Sequence, residues 1–490
     1  MKKTFLLSCL MLAAMPVMAA YTGHVYVDKN KNGVFDQSEK PLAGIKVSDG
    51  LNVVETAADG SFTLPGHERE RFIFITTPSG YKTFNRHYHK IEKKQSGYDF
   101  GLIPYSGRIR KDGSHRYIHI TDTEIFNTEN HADWVNNVHD YARNEQAAFI
   151  IHTGDICYEK GLKAHIKLMN TENMDCPVFY CIGNHDLVKG KYGEELFESI
   201  YGPVYYSFDA GNVHYVVTPM PGGDHAPGYT SDDVCRWLKN DLTHIRPGTP
   251  VVVFNHDLLT YEDTFIFKSK NAGSINLNEY NLKAWVYGHW HINYMKKQGD
   301  VYSVCTSSLD KGGIDHSTTA FRVMHVDSKG DFTSELRYTY LDKNICIASP
   351  AGVMASGVLP VAVNVYSSVS PVREVLYTCL ADGKPVLKNK RLLQSTDWSW
   401  NGELPLSHKY VGKELTLRVT ARFNNGEIAE AESNFICRTE KAVPLFSADW
   451  DNLSGNAKHS APVSAPLNLS LIHISEPTRH AQSSYAVFCL

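Results

Sequence analysis

Five short polar blocks carry the residues best suited to chemistry. They are Asp122-Thr123-Glu124, Gly154-Asp155, Gly183-Asn184-His185-Asp186, Phe254-Asn255-His256-Asp257 and Gly288-His289-Trp290-His291, and most follow directly on an apolar run. Asp122, Glu124 and Asp155 offer carboxylates, Asn184 offers an amide oxygen, and His256, His289 and His291 offer imidazoles. This mixture of oxygen and nitrogen donors suits iron, manganese or zinc. It is enough for two metal ions, and it leaves His185 over as a proton donor. A pair of ions can clamp two phosphoryl oxygens and generate a nucleophilic oxygen at neutral pH. Taken singly, each block is weak, because Gly-Asp turns are common and a lone histidine usually packs in a core. The information lies in all five occurring in one chain.

The elements between the blocks explain how they could meet. From residue 115 to about 340 strand and helix patterns alternate. Arg116 to Thr121 reads as a strand. Asn130 is placed to cap a helix that turns Trp134, Val138 and Tyr141 inward at helical spacing. Ala147 to Thr153 and Pro177 to Ile182 read as buried strands that end at the second and third blocks. Tyr205 to Phe208 and Val213 to Thr218 follow, then a helix from Ser231 that buries Val234, Leu238 and Leu242. Val251 to Phe254 runs into His256, and Ala284 to Tyr287 runs into Gly288-His289. Open sheets place their chemistry where strands end and loops begin. The blocks therefore collect at one end of the domain.

All-β regions flank this part. Residues 21 to 105 read as a small β-sandwich, with strands near Gly23 to Val27, Ile45 to Val47, Ser61 to Leu64 and Arg71 to Thr76. Within it Asp28, Asn30, Asn32, Gly33, Asp36 and Glu39 match a calcium-loop pattern. Calcium bound there would staple the module, whereas a metal-free polar turn would only connect two strands. The flanks read as strand and loop, not as the two helices of the usual calcium loop. Residues 345 to 438 form a second β-sandwich that begins at Val361 to Tyr366. It carries a hairpin of Leu415 to Phe423, the turn Asn424-Asn425-Gly426, and Ile428 onward.

The order of the five blocks resembles the calcineurin-like metallophosphoesterase family, whose pattern is D-x-H, G-D, G-N-H-[DE], a lone His and G-H-x-H. The resemblance spans about residues 115 to 300, and the flanking β-modules resemble those of a bacterial branch. It implies an α+β (α/β) fold of two stacked sheets flanked by helices, four layers in all, with an all-β module on either side. It also implies that metal one takes Asp122, Glu124, Asp155 and His291, and metal two takes Asp155, Asn184, His256 and His289. His185 would be the acid near the leaving group, and Asp186 would orient it. The activity implied is hydrolysis of small phosphate mono- or diesters by a hydroxide bridging two divalent or mixed-valence ions. One position departs from the family: Glu124 stands where the pattern has histidine. Its extra charge predicts a less positive site and a harder ion at metal one. The second reading is a binding or scaffold protein on a phosphoesterase fold, favoured by the flanking modules and by Glu124.

Composition sets the outer bounds. The formal charge is −4, and loss of Lys2 and Lys3 makes it more acidic. No basic stripe suited to a nucleic-acid backbone appears, so nucleic acid is not an expected partner. Residues 1 to 20 read as a signal peptide, with Lys2-Lys3, an apolar stretch from Phe5 to Met15 and Val17-Met18-Ala19 at the cleavage site. That places the mature protein in the periplasm or outside the cell, with no membrane span. The eight cysteines from Cys157 to Cys437 can be bridged or free. Tyr158, His225 and Tyr229 stand in loops that could line the cleft. Residues 440 to 468 read as a linker or as the first strand of a truncated β-propeller of the quinoprotein type, from Trp450-Asp451-Asn452-Leu453 and Pro466-Leu467-Asn468-Leu469. Residues 469 to 490 resemble translated sequencing-adapter peptide, with LIHISEPTR at 471 to 479 and SYAVFCL at 484 to 490. That stretch is expected to be non-native.

Overall fold

A computed structural model describes residues 20–341 and 343–439. The signal-peptide, propeller-strand and adapter-like segments read from the sequence lie outside the described residues. The chain lays down three β-rich units, and helices occur chiefly in the middle one.

The middle unit is built on two mixed sheets. In the first, Val178–Tyr180, Phe149–His152 and His115–Ile120 run parallel, and Ala320–Val326 and Phe332–Tyr338 complete it antiparallel. In the second, Val213–Val217, Val251–Phe254, Leu282–Tyr287 and Val301–Cys305 run parallel, with Tyr206–Ala210 and Tyr294–Gln298 as antiparallel edges. Register fixes where the strands stop. Ile120 pairs with His152 and His152 with Tyr180, while Val217 pairs with Phe254 and Phe254 with Val286. All the block-bearing loops thus leave from one edge.

Aromatic rings fill the space between the sheets. Tyr117 stacks on Phe149 at 4.7 Å, Phe149 meets Tyr215 edge-on at 4.9 Å, and Tyr215 stacks on Phe254 at 5.6 Å. Such pairs each contribute about 0.5–1.5 kcal/mol beyond area burial, and they lock the sheets that hold the loops. Helices Ala132–Asn144 and Tyr158–Leu168 cover the outer face of the first sheet, burying Trp134, Val138, Tyr141 and Leu162. Helix Ser231–Thr243 buries Val234, Leu238 and Leu242, and Thr230 caps it by accepting from the Asp233 N–H at 3.2 Å. The first helix departs from the sequence reading. Its cap position is His131, without a side-chain cap bond, because Asn130 sits at φ +63 and its backbone turns away from the helix start.

The N-terminal unit pairs a five-stranded sheet with a four-stranded one around Val25, Val47, Phe62, Ile73 and Phe100. It is joined to the middle unit by buried polar contacts. Arg71 reaches Glu194 and Glu198, both at 2.7 Å, and Thr76 shares a 2.8 Å hydrogen bond with Ser207. The C-terminal unit is likewise two sheets, of four and five strands. Its first strand is Asn344–Ser349, well before Val361, because this edge strand alternates exposed and half-buried residues and so lacks an apolar signature. The Arg337 guanidinium lies over the rings of Tyr141 and Tyr366 and ties this unit to the middle one. All eight cysteines among the described residues are free, and all but Cys346 are buried. Among the described residues no helix is long and apolar enough to cross a membrane.

Candidate metal centre

Three of the five blocks are held in place by backbone that few residues tolerate. Asp122 and Glu124 adopt φ +50 and +45, Asp155 φ +55, His289 φ +64 and His291 φ +50. Left-handed backbone at non-glycine residues is costly and concentrates at functional sites. Hydrogen bonds between blocks hold it here. Asp122 N–H donates to the Gly154 carbonyl at 3.0 Å, Glu124 N–H to the Asp155 carbonyl at 3.3 Å, and His289 N–H to Asp122 Oδ2 at 3.0 Å. Gly288 allows the last of these approaches. A Cβ there would stand 1.9 Å from Thr121 Oγ1 and 2.6 Å from Asp122 Oδ2.

The metal-type side chains converge. One ligand atom each from Asp155, His256 and His289 lies within 4.8 Å of the others. His256 Nε2 is 3.1 Å from Asp155 Oδ2 and 4.0 Å from Asp122 Oδ1. His291 Nε2 is 3.3 Å from Asp122 Oδ1 and 3.4 Å from Glu124 Oε1. Three buried atoms in this cluster have no hydrogen-bond partner: Asp122 Oδ1, Asn184 Oδ1 and His256 Nε2. An unpartnered buried polar atom costs about 1–3 kcal/mol. Three together, all on residues of metal-ligand type, fit cations held there. His256 is also set in the ligand tautomer. Its Nδ1 faces the Thr153 carbonyl at 2.7 Å and so carries a proton, which leaves Nε2 as the nitrogen a cation would take in place of its own proton. Burial disfavours its charge, yet Asp155 outweighs burial and lifts its pKa to about 9 in the metal-free protein. The Asp155 carboxyl is conversely held low: burial would raise it, but His256 prevails.

Behind the ligands runs a layer of buried neutral imidazoles. Thr123 Oγ1 lies 3.1 Å from His152 Nε2 and 3.3 Å from His165 Nδ1, and Gly154 N–H donates to His152 Nδ1 at 3.1 Å. Burial drives the pKa of both histidines down. They act as fixed hydrogen-bond partners that tie the first block to the second.

One expectation is corrected. Asp186 does not orient His185. It is fully buried, and its two oxygens accept from Gly183 N–H at 2.9 Å and Cys157 N–H at 2.8 Å. Burial, and then Asp155, push its pKa up to about 7. The partner of His185 is Asp224, whose Oδ2 lies 2.9 Å from Nδ1. This pairing outweighs partial desolvation and raises the His185 pKa. The charge of Glu124 is also not left free. Lys311 Nζ pairs with Glu124 Oε2 and reaches its carbonyl at 3.3 Å, so a cation offsets the added carboxylate. The sequence held no sign of either partner, since Asp224 and Lys311 lie 39 and 187 residues away in glycine-containing loops. Of the loop aromatics, Tyr158 is exposed beside His185, but Tyr229 is buried and donates to the Met220 carbonyl.

The calcium-type loop differs. Asp28 accepts from the N–H groups of Asn32 and Gly33, Asp36 from the amides of Asn30 and Asn32, and Glu39 from the N–H groups of Lys29 and Asp36. Its oxygens serve the loop itself, between strands Tyr21–Val27 and Lys40–Pro41.

Two family models match the chain. Residues 115–293 match the family described as calcineurin-like phosphoesterase, and residues 29–104 match the N-terminal domain of calcineurin-like phosphoesterase. The chain is 26% identical over 215 residues to purple acid phosphatase 13 of Arabidopsis thaliana, covering 41% of this chain and 36% of that protein. The chain therefore spans about a third of this relative. Among solved structures, a novel archaeal phosphodiesterase is 13% identical with TM-score 0.24, covering 45% of this chain and 99% of that one. Vacuolar protein sorting 29 from Cryptosporidium parvum is 10% identical with TM-score 0.25, covering 60% and 99%.

Proposed function

Since the chain belongs to the calcineurin-like phosphoesterases, a family that uses divalent metals, we propose that it is an exported dinuclear phosphoesterase hydrolysing small mono- or diesters. The observation that carries this reading is the set of three orphaned buried atoms, Asp122 Oδ1, Asn184 Oδ1 and His256 Nε2, beside the half-buried His185. In this reading metal one is held by Asp122, Glu124, Asp155 and His291, and metal two by Asp155, Asn184, His256 and His289. Iron, manganese or zinc bound there would supply Lewis acidity to the phosphoryl oxygens and a nucleophile at neutral pH. The protein's own part is positional. Asp155 sits between the two sets, the Thr153 carbonyl fixes the His256 tautomer, and the imidazole layer behind Thr123 keeps the first block in register. His185 delivers a proton to the departing alkoxide, and Asp224 fixes which ring nitrogen does so. Export rests on the signal-like residues 1 to 20.

The test is cleavage of a chromogenic phosphoester by purified protein supplied with manganese, iron or zinc. Activity should be lost in Asp155→Asn together with bound metal, and should fall steeply in His185→Ala with metal retained. Full activity in both variants would overturn the assignment. The Lys311–Glu124 pair favours a second reading, in which metal one is weak and the protein binds phosphoesters without turning them over. Bound metal with no turnover across a phosphoester panel would select it.

A further inference from the structure

Two large aromatic side chains stand exposed at the mouth of the site. Phe126 is 55% and Tyr158 44% exposed, their rings lie within 14° of parallel at 6.4 Å, and Tyr158 is 5.4 Å from the His185 ring. Exposing such rings together forfeits burial and marks binding surfaces.

The chain goes to some length to present them. Cys157 and Tyr158 hold φ +71 and +56, a conformation that a bulky side chain rarely adopts. Asp186 clamps this turn through the Cys157 N–H, which gives the buried carboxylate a structural reason to be there. Gly161 brings the two ring-bearing loops together. A Cβ at Gly161 would lie 2.4 Å from the Ile156 carbonyl oxygen and 2.5 Å from that of Ile125, the residues just before Cys157 and Phe126. The rings are thus positioned by backbone strain, a buried carboxylate and a close glycine approach, not by packing against a core.

We propose that the Phe126–Tyr158 pair is a leaving-group subsite, and that the site selects phosphoesters whose alcohol portion carries a flat aromatic or heteroaromatic ring. This rests on the phosphoesterase reading and on His185 as the group that faces the departing oxygen. A flat group beside His185 extends the existing stack, and its π-face is contacted whatever its ring substituents, which makes the subsite selective for planarity.

The experiment compares adenosine 5′-monophosphate with ribose 5-phosphate, which share the scissile ester and differ by the ring system. With metal-loaded full-length protein, kcat/KM should favour the adenosine ester by about tenfold or more, the order expected for stacking one base. In the Phe126→Ala/Tyr158→Ala double variant this ratio should fall toward one. A wild-type ratio near one, or a ratio unmoved in the variant, overturns the subsite while leaving the phosphoesterase reading intact. If neither ester is cleaved, the activity reading is what fails. Calorimetric binding of adenosine against ribose then decides the subsite, with adenosine binding expected in the wild type and lost in the double variant. Equal binding in the two proteins would end the proposal.

Discussion

Two oxygen-rich loop regions of this molecule look alike in sequence and behave in opposite ways. The Asp28–Glu39 loop matches a metal motif at every oxygen position, yet its carboxylates and amides are consumed by the loop's own N–H groups. The metal-type cluster comes from five separate blocks and leaves Asp122 Oδ1, Asn184 Oδ1 and His256 Nε2 buried with no assigned hydrogen bond, the first and last facing only other ligand-type side chains. Donor count does not separate them. What separates them is who satisfies the donors. A contiguous loop can fold onto its own backbone, whereas rigid strand ends hold side chains where no local donor can reach.

The largest effect should come from His185→Ala, which should lower kcat by about 10²–10⁴-fold, the usual worth of a general acid. Metal content should be unaltered, which metal analysis of the same preparation checks. A smaller effect should follow pH through His214, which lies at the end of its strand opposite the block-bearing loops. This imidazole lies between Asp209 and Asp241, at 2.6 and 2.8 Å. Burial opposes its charge, but the two carboxylates prevail and raise its pKa from 6.5 to about 8. A folded-state pKa above the unfolded one means stability gained by protonation. That contribution, about 2 kcal/mol, should be fully present below about pH 6.5 and lost as pH rises through about 8. Chemical denaturation across pH 6 to 9 should show the fall, and His214→Gln should flatten it.

Asp224→Asn should cost about tenfold in kcat, as partners of functional imidazoles do, and should shift the basic limb of the pH–rate profile. Asp186→Asn should leave that limb in place, which separates the ring's partner from its sequence neighbour. The smallest effect belongs to the self-satisfied loop. Asp28→Asn removes a carboxylate that accepts two backbone N–H groups and should cost about 1 kcal/mol of stability. Added calcium should move the melting temperature of neither protein.

The layout of the middle unit was legible because its signals are local. Buried strands such as Phe149–His152 and Val251–Phe254 announce themselves as short apolar runs, and the blocks follow them. Helix Ser231–Thr243 was legible from its period, while its capping Thr230 emerges only from the structure. What stayed hidden are pairings made through space. Nothing in Gly222-Gly223-Asp224 points at His185, and nothing in the stretch around Lys311 points at Glu124. The family resemblance implies Asp186 as the partner of His185, but on the short helical turn Asn184–Asp186 adjacent side chains diverge, and Asp186 turns inward. Strand Asn344–Ser349 escaped notice for a related reason. As an exposed edge it carries too little apolar signal.

In the proposed reading, a cluster of unpartnered ligand-type atoms, and not a motif match, marks where metal would bind. Elemental analysis of the purified full-length chain, beside Asp28→Asn and Asp155→Asn, tests it most directly. About two transition-metal ions per chain are expected, retained in Asp28→Asn and lost in Asp155→Asn. Fewer than about one ion per chain in the wild type, or an ion whose occupancy follows Asp28 and not Asp155, would contradict it.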